Sequence, residues 1–390
     1  MKIKKIKKLG IEKTYNLEMC HPHHNYILPN GMISKNSHSV AYAMLGYTMA
    51  WYKKHYPIYF YMAMMQMAHQ EQKPQTEIKE LYYEALKSSV KIKPPDINKS
   101  EFDFSIKDNA IYFGFKDLKG IGKSVRKGIE HLKGVKTPSQ LRHLIKQYKI
   151  NQSTIKTLIF SGAFDENVCD HYDSRYDMWK EFEIFYMLTD NRLKKIQNIM
   201  DKESMGFIDA VKEWRKTLGD KLHNKKLIDI IEKDIRQFEK KITIAKEEYE
   251  LIGFPITFSL ADAYRKTNDS LSYAKFEKGP IVVCAENFIT IRNKNDTLFS
   301  MFDIYDSTDR HRAIYFNQNE DVHKKLEKVI KKCDVICVKG ELSSKYGSFG
   351  IDVIYVRGTK SYVPIFDKDG IIMKNNSLNK LGKLADTIYK

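Results

Sequence analysis

Two kinds of hydrophobic spacing divide the chain. From Ser37 to Tyr56 apolar side chains recur at helical positions (Val40, Tyr42, Ala43, Leu45, Tyr47, Ala50, Trp51), which predicts a helix. Pro57 suits the opening of a second helix, Ile58 to Gln70, whose Met62, Met64, Met65 and Met67 read as core filling. A third helix, Thr76 to Ser88, spaces Ile78, Leu81, Tyr82 and Leu86 along one face, and Pro94-Pro95-Asp96 ends the run. Glu101 to Ile106 and Ala110 to Phe115 then alternate like a hairpin around Lys107-Asp108-Asn109. Helical spacing returns at Ile155 to Phe160. It continues from Tyr172 to Tyr249, where Trp179, Phe182, Phe185, Tyr186 and Leu188 mark a buried face in an otherwise charged connector.

Period-two spacing governs both ends. Ile281–Ile291, Thr297–Tyr305, Arg312–Phe316, Val335–Leu342 and Phe349–Arg357 read as strands, with one helix, Val322–Lys331, among them. Five strands and a helix fit a small closed Greek-key barrel. Asp303, Asp306 and Asp309 read as turn residues, two of them exposed-looking, rather than as a metal site. At the N-terminus, Lys2–Leu9, Lys13–Met19 and His24–Ile33 are extended runs, the last broken by a turn at Pro29-Asn30-Gly31. Three short strands cannot bury a core alone, so this piece needs a partner to fold.

Composition narrows the class. Over 390 residues, 42% apolar and 12% aromatic content is that of a folded protein. A net charge of +17 points to a polyanion, and nucleic acid fits best. The most apolar stretch, Tyr56 to Ala68, is too short to span a bilayer and is broken by Gln66, so no membrane partner is expected. Five scattered cysteines suit a reducing compartment, and no apolar core follows the lysines of residues 2–8, so the expected location is the cytoplasm.

Two places carry chemistry. In Leu118-Lys119-Gly120-Ile121-Gly122-Lys123-Ser124, glycines at a tight turn before a helix let backbone N–H groups approach a phosphate. Lys116, Lys119, Lys123, Arg126 and Lys127 surround that turn, as in a helix-hairpin-helix element, which grips duplex backbone without reading bases. In the barrel, Phe288, Arg292, Lys294, Lys345, Tyr346 and Phe349 are candidates for stacking on and neutralising single-stranded DNA, the alternative being a barrel that only positions its neighbours. Cys20-His21-Pro22-His23-His24 is spaced too tightly for a closed zinc site and has no second ligand pair, so no metal site is expected.

Ser37-His38-Ser39-Val40-Ala41-Tyr42, Lys54-His55-Tyr56-Pro57, Pro94-Pro95-Asp96-Ile97-Asn98, Phe113 to Gly122 and Ser161-Gly162-Ala163-Phe164-Asp165 follow one another in a recognisable order. That series resembles the bacterial DNA polymerase III alpha subunit across about Ser37 to Asp165, and more loosely to Arg357. The resemblance implies part of the fingers, a helix-hairpin-helix region and an OB-fold barrel. His38 and Ser39 become candidates for nucleotide or template contact, with helix capping by Ser37 or Ser39 the alternative. The family's catalytic carboxylates lie in a palm domain upstream, which nothing here matches. Mg2+ and dNTPs are therefore expected at the palm of an assembled polymerase, with no cofactor inside this chain. No convincing Gln-x-x-Leu-Phe peptide is present, which leaves contact with a sliding clamp open.

A second resemblance covers Lys2 to Asn36. Lys8-Leu9-Gly10, Thr14-Tyr15-Asn16-Leu17, His24-Asn25-Tyr26 and Asn30 to Asn36 before a Ser are similar to the C-terminal fragment of a split intein (Hint-type fold). It implies that the Asn36 side-chain amide attacks its own carbonyl and frees the next residue, proximity supplying much of the rate. Ser37 is the hydroxyl nucleophile that accepts the upstream segment, and His24 shuttles protons. Lys35 stands where the family usually has His, which puts more of the proton transfer on His24, and Asn16 stands where many relatives have Asp. Met1 opens the fragment, so the expected reaction is trans-splicing with an N-terminal polymerase polypeptide carrying the other intein half. Seven lysines against two glutamates give residues 1–36 a net +5, which would steer an acidic half toward it.

The expected architecture is thus multidomain α+β. Residues 1–36 form the short β intein fragment, 37–105 the α-helical C-terminal part of the fingers, and 106–170 the helix-hairpin-helix region. A helical connector spans 171–250, the OB-fold barrel 251–360, and a basic tail 361–390. The expected function is that of a precursor joined at Asn36–Ser37 to complete a DNA-directed DNA polymerase acting on primer-template DNA, and inactive in polymerisation alone. The alternatives are a DNA-binding accessory fragment with an inert intein relic, or one that only cleaves after Asn36.

Overall fold

The computed structural model describes residues 25–27, 33–35, 39–218, 225–265, 270–271, 280–332, 335–342, 348–357, 362–367 and 370–371. The chain forms two compact units, residues 1–60 and 61–390.

In the first unit, β1 (Asn25–Ile27) pairs antiparallel with β2 (Ile33–Lys35), Asn25 opposite Lys35. The two strands flank the predicted turn at Pro29-Asn30-Gly31, which itself lies outside the described residues. The runs Lys2–Leu9 and Lys13–Met19 and the Cys20–His24 cluster lie outside the described residues. Helix α1 (Ser39–His55) follows, and α2 (Pro57–Met67) begins at the predicted proline. Apolar on all sides, α1 leaves Tyr42, Met44, Leu45 and Tyr47 more than half exposed.

The second unit opens with the rest of α2, where Tyr61 and Met65 are buried but Met67 is exposed, so the methionines fill the core only in part. Helix α3 (Pro74–Lys87) leads to a small sheet of β3 (Ile92–Lys93), β4 (Ser105–Lys107) and β5 (Ala110–Tyr112), with β5 central. Asp108 and Asn109 both take positive φ, 51° and 54°, which matches the two-residue turn closing β4 onto β5. Helices α4 (Arg126–Glu130), α5 (Pro138–Tyr148), α6 (Gln152–Phe160) and α7 (Arg175–Met187) follow. Thr137 and Gln140 form a capping box at the start of α5, with Pro138 in its first turn. The connector continues through α8 (Asp190–Glu203), α9 (Phe207–Leu218), α10 (Lys225–Glu232), α11 (Gln237–Ile252) and the short α12 (Leu260–Tyr264). As the spacing predicts, Trp179, Phe182, Phe185 and Leu188 are buried, and Tyr186 donates to the Ile150 carbonyl at 2.8 Å.

A buried ionic knot ties these helices together. Arg175, at the start of α7, donates to the Phe160 carbonyl (3.0 Å), to Glu248 of α11 (2.6 Å), to Thr257 (2.8 Å) and to Asp165. Glu248 also accepts the backbone N–H groups of Ile256 and Thr257 at 2.8 and 2.7 Å, so the buried pair meets the hydrogen-bonding demand on both charges. Gly162 takes φ +91°, and a Cβ there would stand 2.5 Å from an Arg175 guanidinium nitrogen. That explains a glycine in Ser161-Gly162-Ala163-Phe164-Asp165 twice over.

The last segment is the barrel. Strands β6 (Ile281–Arg292), β7 (Leu298–Tyr305), β8 (Arg310–Phe316), β9 (Val335–Leu342) and β10 (Ser348–Arg357) close in the order β6-β7-β8-β10-β9 and back to β6. The β8–β10 pairing is parallel and the others antiparallel, a closed five-stranded, OB-like arrangement. Helix α13 (Glu320–Lys332), between β8 and β9, packs Val322, Leu326 and Ile330 against Phe302, Ile304, Ile336 and Phe349. A hairpin of β11 (Tyr362–Asp367) and β12 (Gly370–Ile371) extends from β10 into the stretch read as a basic tail. His323 of α13 is buried, donating through Nε2 to the Asn317 carbonyl at 2.7 Å and lying 2.5 Å from the Ser300 hydroxyl.

Asp306 and Asp309 lie in the turn between β7 and β8 as expected, Asp303 lies within β7, and all three are buried, which corrects the exposed reading. Asp303 accepts from Arg310 and Arg312, both at 2.7 Å. Asp306 holds Arg265 (2.7 Å) and the N–H groups of its own turn, and Asp309 lies 3.1 Å from His311. Helix α3 seats on this network: Lys79 pairs with Glu286, and the Tyr83 hydroxyl donates to the Asp306 carbonyl at 3.1 Å. Burial holds the Lys79 ammonium below its ordinary pKa, against the pull of Glu286.

Candidate nucleic-acid interface

The Leu118–Gly122 turn is anchored from behind and open in front. Leu118 and Ile121 are buried, the Ile121 N–H donates to the Leu118 carbonyl at 3.1 Å, and the Lys119 N–H donates to the Leu251 carbonyl at 2.9 Å. Gly120 has φ +89°, so the turn itself demands glycine there. Gly122 differs: its φ is −101°, and a Cβ would meet only the Ser124 hydroxyl, at 3.9 Å. Neither strain nor crowding inside the chain requires glycine at 122, where it stands as the N-cap of the next turn and leaves the backbone open in front. The expected helix dipole is weak here, because the turn leads into one 3-10 turn, Lys123–Val125, and the five-residue α4.

The predicted cations divide. Lys119, Lys123, Arg126 and Lys127 are exposed around the turn. Arg126 is held by Glu130 at 2.9 Å and lies over the Phe102 ring. Lys116 is half-buried and paired with Asp103, which turns it from a phosphate ligand into part of the support. Behind it, Asp117 is buried and 2.7 Å from His69. Burial raises the Asp117 carboxyl to about 7, and burial also lowers the His69 imidazole.

A second helical turn, which sequence reasoning did not single out, sits beside the first. Helix α5 ends in Lys149 at φ +49°, and Asn151 caps α6 by accepting the Thr154 N–H at 2.7 Å. Thr157 of α6 lies against the Gly120 position and Ile150 against Gly128 of α4, so the two turns form one surface. The readable signal was the polar cap Asn151 directly after Tyr148-Lys149-Ile150.

On the barrel, alternation puts Phe349 in the core with no exposure, and Phe288 packs on Phe302, so neither is a free stacking platform. Arg292 is exposed but engaged by Asp296 (2.9 Å) and Glu320 (3.3 Å), and Lys294 is exposed beside it. The outward rows are instead Ile291–Phe299–Phe316 and Ile289–Met301–Ile314, aligned across β6, β7 and β8. Phe316 is 55% exposed and Ile289 44%, an uncovered apolar face on the strands where OB barrels take ligands.

Lys345, Tyr346, His38, His24, Asn36 and Ser37 lie outside the described residues. Ser39 opens the backbone of α1. Among the described residues no three His, Cys, Asp or Glu side chains gather as a metal site, and no helix is long and apolar enough to cross a membrane.

A helix-hairpin-helix motif family model matches residues 89–171. The chain is 28% identical over 319 residues to the DNA polymerase III subunit alpha of Buchnera aphidicola, covering 76% of this chain and 25% of the relative. It is 25% identical over 316 residues to the Aquifex aeolicus subunit, covering 78% and 24%. Against the Bacillus subtilis subunit it is 30% identical over 160 residues, 40% of this chain and 14% of the relative. The chain therefore spans about a quarter or less of the length of these curated relatives. Over some three quarters of its own length, helix-hairpin-helix region included, it is similar to DNA polymerase III subunit alpha.

Proposed function

We propose that this chain supplies part of the fingers and the DNA-holding domains of a replicative DNA-directed DNA polymerase of the polymerase III alpha type, whose palm, with its Mg2+ and dNTPs, lies outside residues 1–390. One observation carries the reading. The resemblance runs 316 to 319 residues, far beyond the helix-hairpin-helix region, and the chain has a helical connector and a closed five-stranded barrel to match it. Duplex backbone lies across the paired turns at Gly120 and Lys149, held by Lys119, Lys123 and Arg126. Single-stranded template stacks on Phe299 and Phe316. The exposed apolar α1 suits a segment whose neighbours belong to the rest of the polymerase.

The test is the salt dependence of duplex binding. Replacing Lys119, Lys123 and Arg126 by Ala lowers the slope of log K against log [salt] by roughly one per cation lost. An unchanged slope excludes this surface as the duplex contact.

A second activity, trans-splicing at Asn36–Ser37, is supported by the β1–β2 hairpin, whose last pair, Asn25 and Lys35, adjoins His24 and Asn36 in sequence. In this reading Asn36 releases, Ser37 accepts and His24 moves the proton. Mass spectrometry of the chain mixed with a polypeptide that carries the other intein half detects a ligated product and loss of residues 1–36, and Asn36→Ala abolishes both. Loss that persists in the variant excludes cleavage through a succinimide.

A further inference from the structure

The helical connector holds a cation-lined cavity of about 730 Å³ that the duplex and template surfaces do not use. Lys180 comes from α7, Lys212, Arg215 and Lys216 from α9, and Lys233 from the residue after α10. Glu232 and Asp234 are the carboxylates of the lining, so five cations face two anions and leave it +3.

The helix patterns make this gathering. Helix α9 buries Phe207, Ala210, Val211 and Trp214 on one stripe. Lys212, Arg215 and Lys216 stand at i, i+3 and i+4 and so share another face. Helix α10 buries Leu227 and Ile231 and brings Glu232 within 2.7 Å of Arg215. Lys180 crosses from α7 and donates to the Lys233 carbonyl at 2.9 Å.

The electrostatics favour an incoming anion. Burial, and next the charge of Lys212, hold Lys180 below its ordinary pKa, with Lys240 adding to the repulsion and Asp177 and Asp234 opposing it. Lys212 and Lys216 pair with Asp209 and Glu213 on their own helix at 3.1 and 2.7 Å. Pairs as exposed as these contribute little and are readily exchanged. An oxyanion placed beside Lys180 and Lys212 relieves the repulsion between them, and the Arg215 guanidinium can fork onto two oxygens of one phosphate in exchange for its pair with Glu232.

We propose that the cavity between α7, α9 and α10 binds phosphate groups, gripped by Arg215, Lys180 and Lys212. The phosphates come either from the backbone of a nucleic-acid strand or from the polyphosphate of a nucleotide. The site is independent of the duplex reading, because none of its residues belongs to the helix-hairpin-helix region.

The test titrates the full chain with pyrophosphate, with a nucleoside triphosphate and with a single-stranded oligothymidylate. Each probe is compared between the parent and Lys212→Ala/Arg215→Ala, on the Lys119→Ala/Lys123→Ala/Arg126→Ala background so that the other basic surface does not mask the result. Loss of roughly tenfold in affinity for at least one probe supports the site. A loss confined to the oligothymidylate identifies a strand backbone, and a loss for pyrophosphate and triphosphate identifies a polyphosphate. Lys180→Gln, a single uncharged replacement, is run in parallel in case the double variant does not fold. Equal affinities of the parent and a folded variant for all three probes overturn the proposal.

Discussion

The Arg175 knot allows a sharp test of what holds the helical region together. In Arg175→Met the chain loses four hydrogen-bonding partners of one guanidinium: Asp165, the Phe160 carbonyl, Glu248 and Thr257. Asp165 is one-third exposed and rehydrates, whereas Glu248 has no exposure and cannot. Its remaining partners are the Ile256 and Thr257 N–H groups, which leave a buried carboxylate without a counter-charge. Breaking a buried pair in this way costs about 3–5 kcal/mol. Glu248→Gln keeps an acceptor for both N–H groups and removes the charge, so Arg175→Met/Glu248→Gln recovers on the order of 2 kcal/mol of that loss. Urea unfolding followed by tryptophan fluorescence reads this region, because Trp179 and Trp214 are buried in α7 and α9. A single variant that costs less than about 1 kcal/mol, or a double variant no more stable than the single, would refute the charge argument.

Further expectations follow from the same geometry. Gly162→Ala destabilises by more than roughly 1 kcal/mol in the same urea assay, since both its positive φ and the Arg175 side chain oppose a Cβ. Asp117 binds its proton more tightly in the folded chain, with a pKa of about 7 against an ordinary 3.8. Its contribution to stability therefore falls as pH rises from about 4 to about 7. Asp117→Asn should gain melting temperature over the parent on going from pH 5 to pH 8, and a pH-independent difference would contradict the burial argument. Phe299→Ala/Phe316→Ala weakens oligothymidylate binding by about 1–3 kcal/mol per stacked base, while Phe288→Ala acts on stability instead. Fluorescence anisotropy separates these from the duplex contacts.

Much of the fold is legible in the chain because it is local. The barrel strands fall within about two residues of their sequence-predicted bounds, since a two-residue period with one buried face leaves little choice of register. The Gly120 turn and the Asp108-Asn109 hairpin are equally local, set by residues that tolerate positive φ. Alternation does not say which face is inward, and so Phe349 and Phe288 read as ligand platforms while Phe299 and Phe316 passed unnoticed. Lys116 reads as a DNA cation until Asp103 is placed beside it. Asp303, Asp306 and Asp309 look like surface carboxylates because their cations include Arg265, distant in sequence and adjacent only in the fold.

By itself the sequence determined the elements, the basic character, the turn at Gly120 and the residue types at Asn36–Ser37, all of which depend on neighbours a few positions away. Tertiary structure decided which charges are buried. Arg175 meets Glu248 across 73 residues and Lys79 meets Glu286 across 207, pairings that no local spacing encodes. It also decided that α7, α9 and α10 bring their basic side chains around one open cavity. The physical reason is the same in each case. Burial and the compensation of charge depend on what lies opposite a side chain in space, and only the folded chain supplies that.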